Sequence, residues 1–239
     1  MTKIESTPET VPERKTVIYK TLVDPTVIKI AGEKMKHRLF SKLWFLKPQP
    51  DEIENVSVEK YYEQYFLIDG SYTIDYYRKR FYTFNIDGKV QEVILLNKKL
   101  KPDLPKKSSK TPYKSITLEG EERLLHRNRA CLILDEAGRE VDPRRVPSAP
   151  SEELPKKDLV NSKENSKKLE AAPDMEVRVL RSKLVRKPRD VERVVHESFE
   201  VSERSVMYMP IYKLVFKHVR TGEMKTAKIN GVTGRPLSW

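Results

Sequence analysis

Along this chain, stretches with the two-residue period of a strand and stretches with helical spacing are separated by polar, proline-containing segments. Lys15–Val23 (KTVIYKTLV) reads as a first strand. Asp24-Pro25 then opens a helix whose apolar positions are Val27, Ile28, Ile30, Met35, Leu39, Phe40 and Leu43. Asp24 suits the N-cap and Pro25 the first helical position. Gly32 weakens the middle of that helix. Pro48 and Pro50 end the segment.

Tyr61–Leu96 follows, with ten aromatic residues and two Asp-Gly pairs. Asp69-Gly70 and Asp87-Gly88 predict β-hairpins, since both residue types tolerate the positive φ of a type I′ turn. The expected strands are Val58–Ile68, Ser71–Ile86 and Lys89–Leu96. In the middle strand Tyr72, Ile74, Tyr76, Tyr82, Phe84 and Ile86 share one face and are expected to meet a core. Arg78 and Arg80 interrupt that face. Either the strand is bulged there, or it runs beyond the sheet and the arginines reach solvent. Tyr77, Lys79 and Phe81 lie on the opposite face.

Asn97–Pro112 is basic and reads as a connection. Short strands are expected at Tyr113–Leu118, Glu121–His126 and Ala130–Leu134, with a turn at Glu136–Arg139. Met175–Val185 reads as a strand. Arg189–Phe199 reads as a short amphipathic helix, with Val191, Val194, Val195 and Phe199 at helical spacing. Val206–Val219 and Met224–Ile229 read as a hairpin around Arg220–Glu223. Lys47-Pro48 and Lys187-Pro188 each precede an acidic-aliphatic-Glu run and then an aromatic hairpin segment. That order is compatible with an internal duplication and with chance.

These elements predict an α+β fold: two small antiparallel-sheet modules joined by a flexible linker. Residues 1–15 are an expected disordered tail and 16–142 an α+β domain with the β meander. Residues 143–174 are the linker, low in apolar content and carrying Pro143, Pro147, Pro150, Pro155 and Pro173. Residues 175–239 are a helix plus β-hairpin module.

Composition adds a partner class. The formal charge of the 239-residue chain is +12. A protein this basic is drawn to polyanions. The lone cysteine, Cys131, allows no intrachain disulfide and fits a reducing compartment. The polar N-terminus has no apolar signal core, and no run of about 18 apolar residues occurs. A cytoplasmic protein without membrane-spanning segments is therefore expected.

Candidate chemistry is sparse. His37, His126, His196 and His218 have no metal-ligand spacing, and His126 with Cys131 supplies too few ligands for zinc. No Gly-rich phosphate loop and no nucleophile motif occur. No catalytic residue, metal or cofactor is expected. An enzyme whose site gathers distant residues stays open as a third reading.

Residues 208–239 carry Tyr208, Pro210, Tyr212, Asn230, Gly231, Thr233 and Gly234. This pattern resembles a small β-module found beside zinc ribbons in prokaryotic helicase-like and membrane-associated proteins. It is also similar to the hairpin and terminal turn of PepSY-type domains. The resemblance implies an interaction or regulatory hairpin and no reaction. The cysteines of the zinc-ribbon companions are absent, so it carries over no metal.

The expected function is non-enzymatic binding of nucleic acid or a nucleoprotein assembly. Tyr77, Arg78, Lys79, Arg80 and Phe81 form the first candidate surface, cations for phosphates and rings for bases. Lys213, Lys217, Arg220, Lys225 and Lys228 on the terminal hairpin form the second. The alternative is an adaptor that docks on a protein complex through its hairpins.

Overall fold

A computed structural model describes residues 9–40, 49–103, 113–147, 149–153 and 174–237. Its strands are β1 (Glu9–Thr10), β2 (Lys15–Tyr19), β3 (Ile53–Ile86), β4 (Val93–Leu95), β5 (Lys98–Leu100), β6 (Lys114–Leu134), β7 (Ser151–Glu153), β8 (Arg193–His218) and β9 (Met224–Asn230). Among the described residues two helices, α1 (Pro25–Phe40) and α2 (Met175–Leu184), accompany them. The chain is thus mostly β. A mixed seven-stranded sheet has the order β6-β3-β8-β2-β7, with β1 and β9 also paired to β8, and β4 pairs with β5.

The chain forms two compact units that interleave in sequence. One comprises Thr10–Ser71, Arg129–Leu184 and Glu200–Trp239; the other includes Tyr72–Asn128 and Val185–Phe199. Strands β3, β6 and β8 contribute residues to both.

In the first unit, β8 is the central strand. Residues Arg204–Tyr212 are buried without interruption, as expected of a strand covered on both faces. β2 pairs with it in parallel over Ser205–Tyr208, and β9 pairs antiparallel from Ile211. Pro210, which has no N–H to give, falls at the junction between these two partners. On one face α1 packs Ile28 and Phe40 against Tyr212, Leu214, Phe216, Ala227 and Ile229. A Cβ on Gly32 would lie 2.3 Å from Leu214 Cδ2, so the glycine that weakens the helix also lets it approach the sheet. The Asp24 carboxylate accepts from the Thr26 amide at 2.7 Å, as expected of the N-cap. A second cluster gathers Tyr19, Tyr65, Met207, Met209, Ile211 and Val232.

Several expectations are corrected. Asp69-Gly70 is not a turn: β3 runs straight through it. A Cβ at Gly70 would lie 2.5 Å from the Glu200 carbonyl oxygen, so the glycine serves close backbone approach by β8. Asp87-Gly88 does turn, with the Val90 amide donating to the Asp87 carbonyl at 3.1 Å, but neither residue has positive φ and the expected type I′ hairpin does not form. The expected strand after it is replaced by the short β4–β5 hairpin. The three short strands expected over residues 113–134 are one strand, β6. Helix and strand exchange places near the C-terminal third. Met175–Leu184 is α2, and the segment read as a helix up to Phe199 is a turn followed by the start of β8.

The physical reasons are visible. In α2, Val177, Leu180 and Leu184 make a buried stripe at helical spacing, and Glu176 sits in the first turn. At the start of β8, Val194 and Val195 suit a strand, and the Glu192 amide donates to the Tyr77 carbonyl at 2.9 Å. That partner lies too far along the sequence for local spacing to reveal it. Residues 9–15 and 143–153, expected as tail and linker, carry β1, the start of β2, a 3-10 turn and β7. The rest of the expected tail, helix positions 41–43, the closing segment 44–48 and linker residues 154–173 lie outside the described residues.

The interior of the first unit also holds polar networks. Glu176 is fully buried and takes a two-pronged contact from Arg14, at 2.9 and 3.1 Å. Arg204 Nη2 reaches both Glu176 (2.9 Å) and Asp174 (2.7 Å). On another part of that unit, Tyr61, Tyr65 and Lys228 all donate to the Glu63 carboxylate, at 2.8, 3.0 and 2.7 Å. Burial, reinforced by Glu63, pushes the Tyr61 phenol up to about 12.

The terminal Asn-Gly-x-Thr-Gly pattern is explained by the turn it makes. Asn230 Oδ1 accepts from the Val232 and Thr233 amides at 2.8 and 3.1 Å. The Gly231 carbonyl accepts from Leu22 and Val23, both at 3.1 Å, and so ties the end of β9 to the entry of α1.

Candidate nucleic-acid interface

The candidate residues Tyr77–Phe81 lie in the second unit, where β3 passes beyond its partner β8. Cross-strand contacts follow β3 and β6 in opposite directions: Asp75 with Arg123 at 2.6 Å, Lys79 with Glu119 at 3.3 Å, then Thr83 with Thr117 at 3.3 Å. β8 begins at Arg193, and the Glu192 amide just before it donates to the Tyr77 carbonyl of β3 at 2.9 Å. From Arg78 onward, among the described residues, β3 therefore has β6 alone beside it. This is a two-stranded ribbon.

The ribbon explains why the apolar face stops. Tyr72, Ile74 and Tyr76 are buried as expected, but every residue from Lys79 to Asn85 is exposed. Tyr82 and Phe84 were expected in a core and are instead 39% and 50% exposed. The hydrophobic period persists in the sequence while the covering layer does not. Of the two alternatives raised by Arg78 and Arg80, the strand outruns the sheet.

The five candidates divide accordingly. Tyr77 is covered on one ring face by the Arg193 guanidinium, 4.1 Å from the centroid. Arg78 is committed to Glu122 at 2.8 Å and Asp190 at 3.0 Å. Hydrogen bonds from Tyr82 and Arg78 hold the Glu122 carboxyl below its usual range. Lys79 has only the exposed Glu119 pair, which is weak in water. Arg80 is exposed and makes no hydrogen bond or ion pair among the described residues. Phe81 is 65% exposed. Lys79, Arg80 and Phe81 are thus open to a partner, whereas Tyr77 and Arg78 hold the base of the ribbon.

Sequence reasoning missed the surroundings. Between Arg78 and Lys114 the chain carries eleven lysines and arginines against three acidic residues, a net +8 of the whole-chain +12. Lys89, Lys98 and Lys101 are exposed. Lys99 has the exposed Glu92 pair at 3.4 Å. Exposed apolar side chains stand among them: Ile94, Leu95, Leu96 and Tyr113. The basic run was legible, but reading it as a connection concealed it as a surface.

The terminal hairpin does not gather its five candidates. Lys213 is half-buried opposite Lys228, and Lys217 is exposed on the same face. Lys225 lies opposite Phe216, with its ammonium donating to the Leu39 carbonyl at 2.9 Å, on the α1 face. Arg220 pairs with Glu52 at 3.1 Å. Burial would lower the Lys228 ammonium, but hydrogen bonds with Glu63 and Tyr61 carry it above its ordinary value. Lys225 and Lys228 are engaged in holding the fold together, whereas Arg220 makes a surface pair.

Among the described residues, no three His, Cys, Asp or Glu side chains gather into a metal-binding group. Among them, no helix is long and apolar enough to cross a membrane. No family model, no curated protein and no solved structure matches this chain.

Proposed function

We propose that this protein binds nucleic acid through the β3–β6 ribbon and the adjoining β4–β5 hairpin. The observation that carries this is the concentration of net +8 in the sequence Arg78–Lys114, where, among the described residues, Lys79, Arg80, Lys89, Lys98, Lys99 and Lys101 are exposed. The major groove of B-DNA is about 12 Å wide and admits a two-stranded β-ribbon. Arg80, Lys79, Lys89, Lys98, Lys99 and Lys101 supply phosphate contacts. Phe81 offers a ring for stacking. Nucleic acid or a nucleoprotein is the partner; no chemical step is assigned.

The test is fluorescence anisotropy of a labelled DNA duplex and a labelled single-stranded RNA, titrated with the full chain over a salt series. Log affinity is expected to fall linearly with log salt, by about 0.9 for each duplex phosphate neutralised. Salt-independent binding, or no binding to either probe, overturns the proposal. Exposed Phe81, Phe84, Val194 and Val195 in the same unit favour one other reading, a protein-docking adaptor. A protein partner retained after nuclease treatment would support it.

A further inference from the structure

The β4–β5 hairpin closes through a two-residue loop, Leu96-Asn97, between the paired positions Leu95 and Lys98. Both loop residues have positive φ, 49° for Leu96 and 60° for Asn97. Asn tolerates that region; leucine does so poorly, because its Cβ crowds the backbone. A tight turn of this kind favours Asn, Asp or Gly at both central positions. Leu96 is also 90% exposed, and Ile94 and Leu95 beside it are 63% and 40% exposed. Leucine at this site is thus unfavourable twice over: for the backbone, and for water. A strained, exposed residue that the fold does not need points to a role outside the fold.

The surroundings indicate what meets it. Lys98 and Lys99 follow directly on β5, and Lys89 and Lys101 flank the hairpin, all exposed. The tip is an apolar point set in a cationic collar. A phosphate backbone complements the collar, and the base stack beneath it is the apolar layer that the tip would reach. Architectural proteins use leucine, isoleucine and phenylalanine in this way, as wedges between base steps.

We infer that Leu96, supported by Ile94 and Leu95, inserts between stacked bases of a duplex held by the ribbon, locally unstacking it. This rests on the nucleic-acid interface proposed above and adds a mode of engagement to it. Such a wedge favours flexible pyrimidine–purine steps, which unstack most readily. No bond forms or breaks in this event.

The decisive experiment uses the full chain and DNA duplexes carrying 2-aminopurine at one step. Emission of that base rises when it is unstacked. The wild type is expected to raise it, most at a TA step. The variant Leu96→Asn places a turn-favouring residue in the loop and so keeps the hairpin folded. It is expected to lose the emission rise while the slope of log affinity against log salt, which the cations set, stays that of the wild type. Leu96→Phe is expected to restore the rise. Three results overturn the wedge: duplex binding by the wild type without any emission change, an unchanged rise in Leu96→Asn, or insertion of the tip into phosphatidylserine vesicles in preference to DNA. Absence of all duplex binding overturns the underlying interface instead, so the two failures are told apart.

Discussion

At the residue scale, the least replaceable side chains are those that resolve a conflict between burial and charge. Glu176 is buried among Arg14 and Arg204, and all three lie in one unit. Removing Glu176 takes the buried partner from Arg14 and leaves the largely buried Arg204 with Asp174. Glu176→Ala is expected to cost about 3–5 kcal/mol, read as a lower urea midpoint at unchanged slope. Gly70 is sensitive for a different reason, since an added methyl meets backbone rather than a side chain that can swing away. Gly70→Ala is expected to cost about 1–3 kcal/mol in the same measurement. Glu63 gives the pH dependence. Burial raises its carboxyl, yet hydrogen bonds from Lys228 and Tyr61 outweigh that and leave it below the ordinary 4.5. A lowered folded value means the unfolded chain binds the proton first. The stabilisation is therefore complete above 4.5 and disappears as pH falls through the lowered folded value. Thermal melts from neutral pH to about pH 3 should show Glu63→Gln with a shallower acid decline than the wild type.

At the scale of elements, the ribbon differs from the strands of the first unit in what covers it. The same β3 is buried on one face at Tyr72, Ile74 and Tyr76, and then exposed on both faces from Lys79. Neutralising its exposed cations should weaken binding without unfolding the protein. Lys79→Gln and Arg80→Gln are each expected to flatten the salt dependence of DNA affinity by about one unit of slope. Arg78→Gln should behave differently. It breaks the contacts to Glu122 and Asp190, so faster amide exchange around Tyr77 and Glu192 is expected, with a smaller effect on slope. Lys213→Gln and Lys217→Gln in the terminal hairpin should leave the slope unchanged. Their strand pairs are part of the first unit, whereas the Arg78–Lys114 run belongs to the second.

For the whole molecule, the buried networks and the densest basic run fall in different units. The first unit has the covered central strand, both apolar clusters and the buried ion network. The second unit has the basic Arg78–Lys114 run and many of the exposed rings. Each structural unit draws on separated stretches of sequence, because β3, β6 and β8 each contribute to both. A sequence scan that looks for contiguous modules separates a meander from a terminal hairpin; the pairing of β3 with β8 joins them.

Local chemistry fixed what depends on local chemistry. The Asp24-Pro25 start of α1, the Asp87-Gly88 turn, the Asn230-Gly231 turn and the β8–β9 pairing all follow from residues close together in the chain. The basic character of Arg78–Lys114 needs only counting. Tertiary structure decided everything that depends on a distant partner. Asp69-Gly70 became the middle of a strand because β8 approaches there. Arg189–Phe199 gave up helical spacing because Tyr77 offered a backbone acceptor. Met175–Leu184 became a helix as its stripe at helical spacing was buried. Exposure of Lys79, Arg80 and Phe81, with Tyr77 and Arg78 held back, depends on where β8 begins. That boundary is set by pairing across more than a hundred residues, which no short-range pattern encodes.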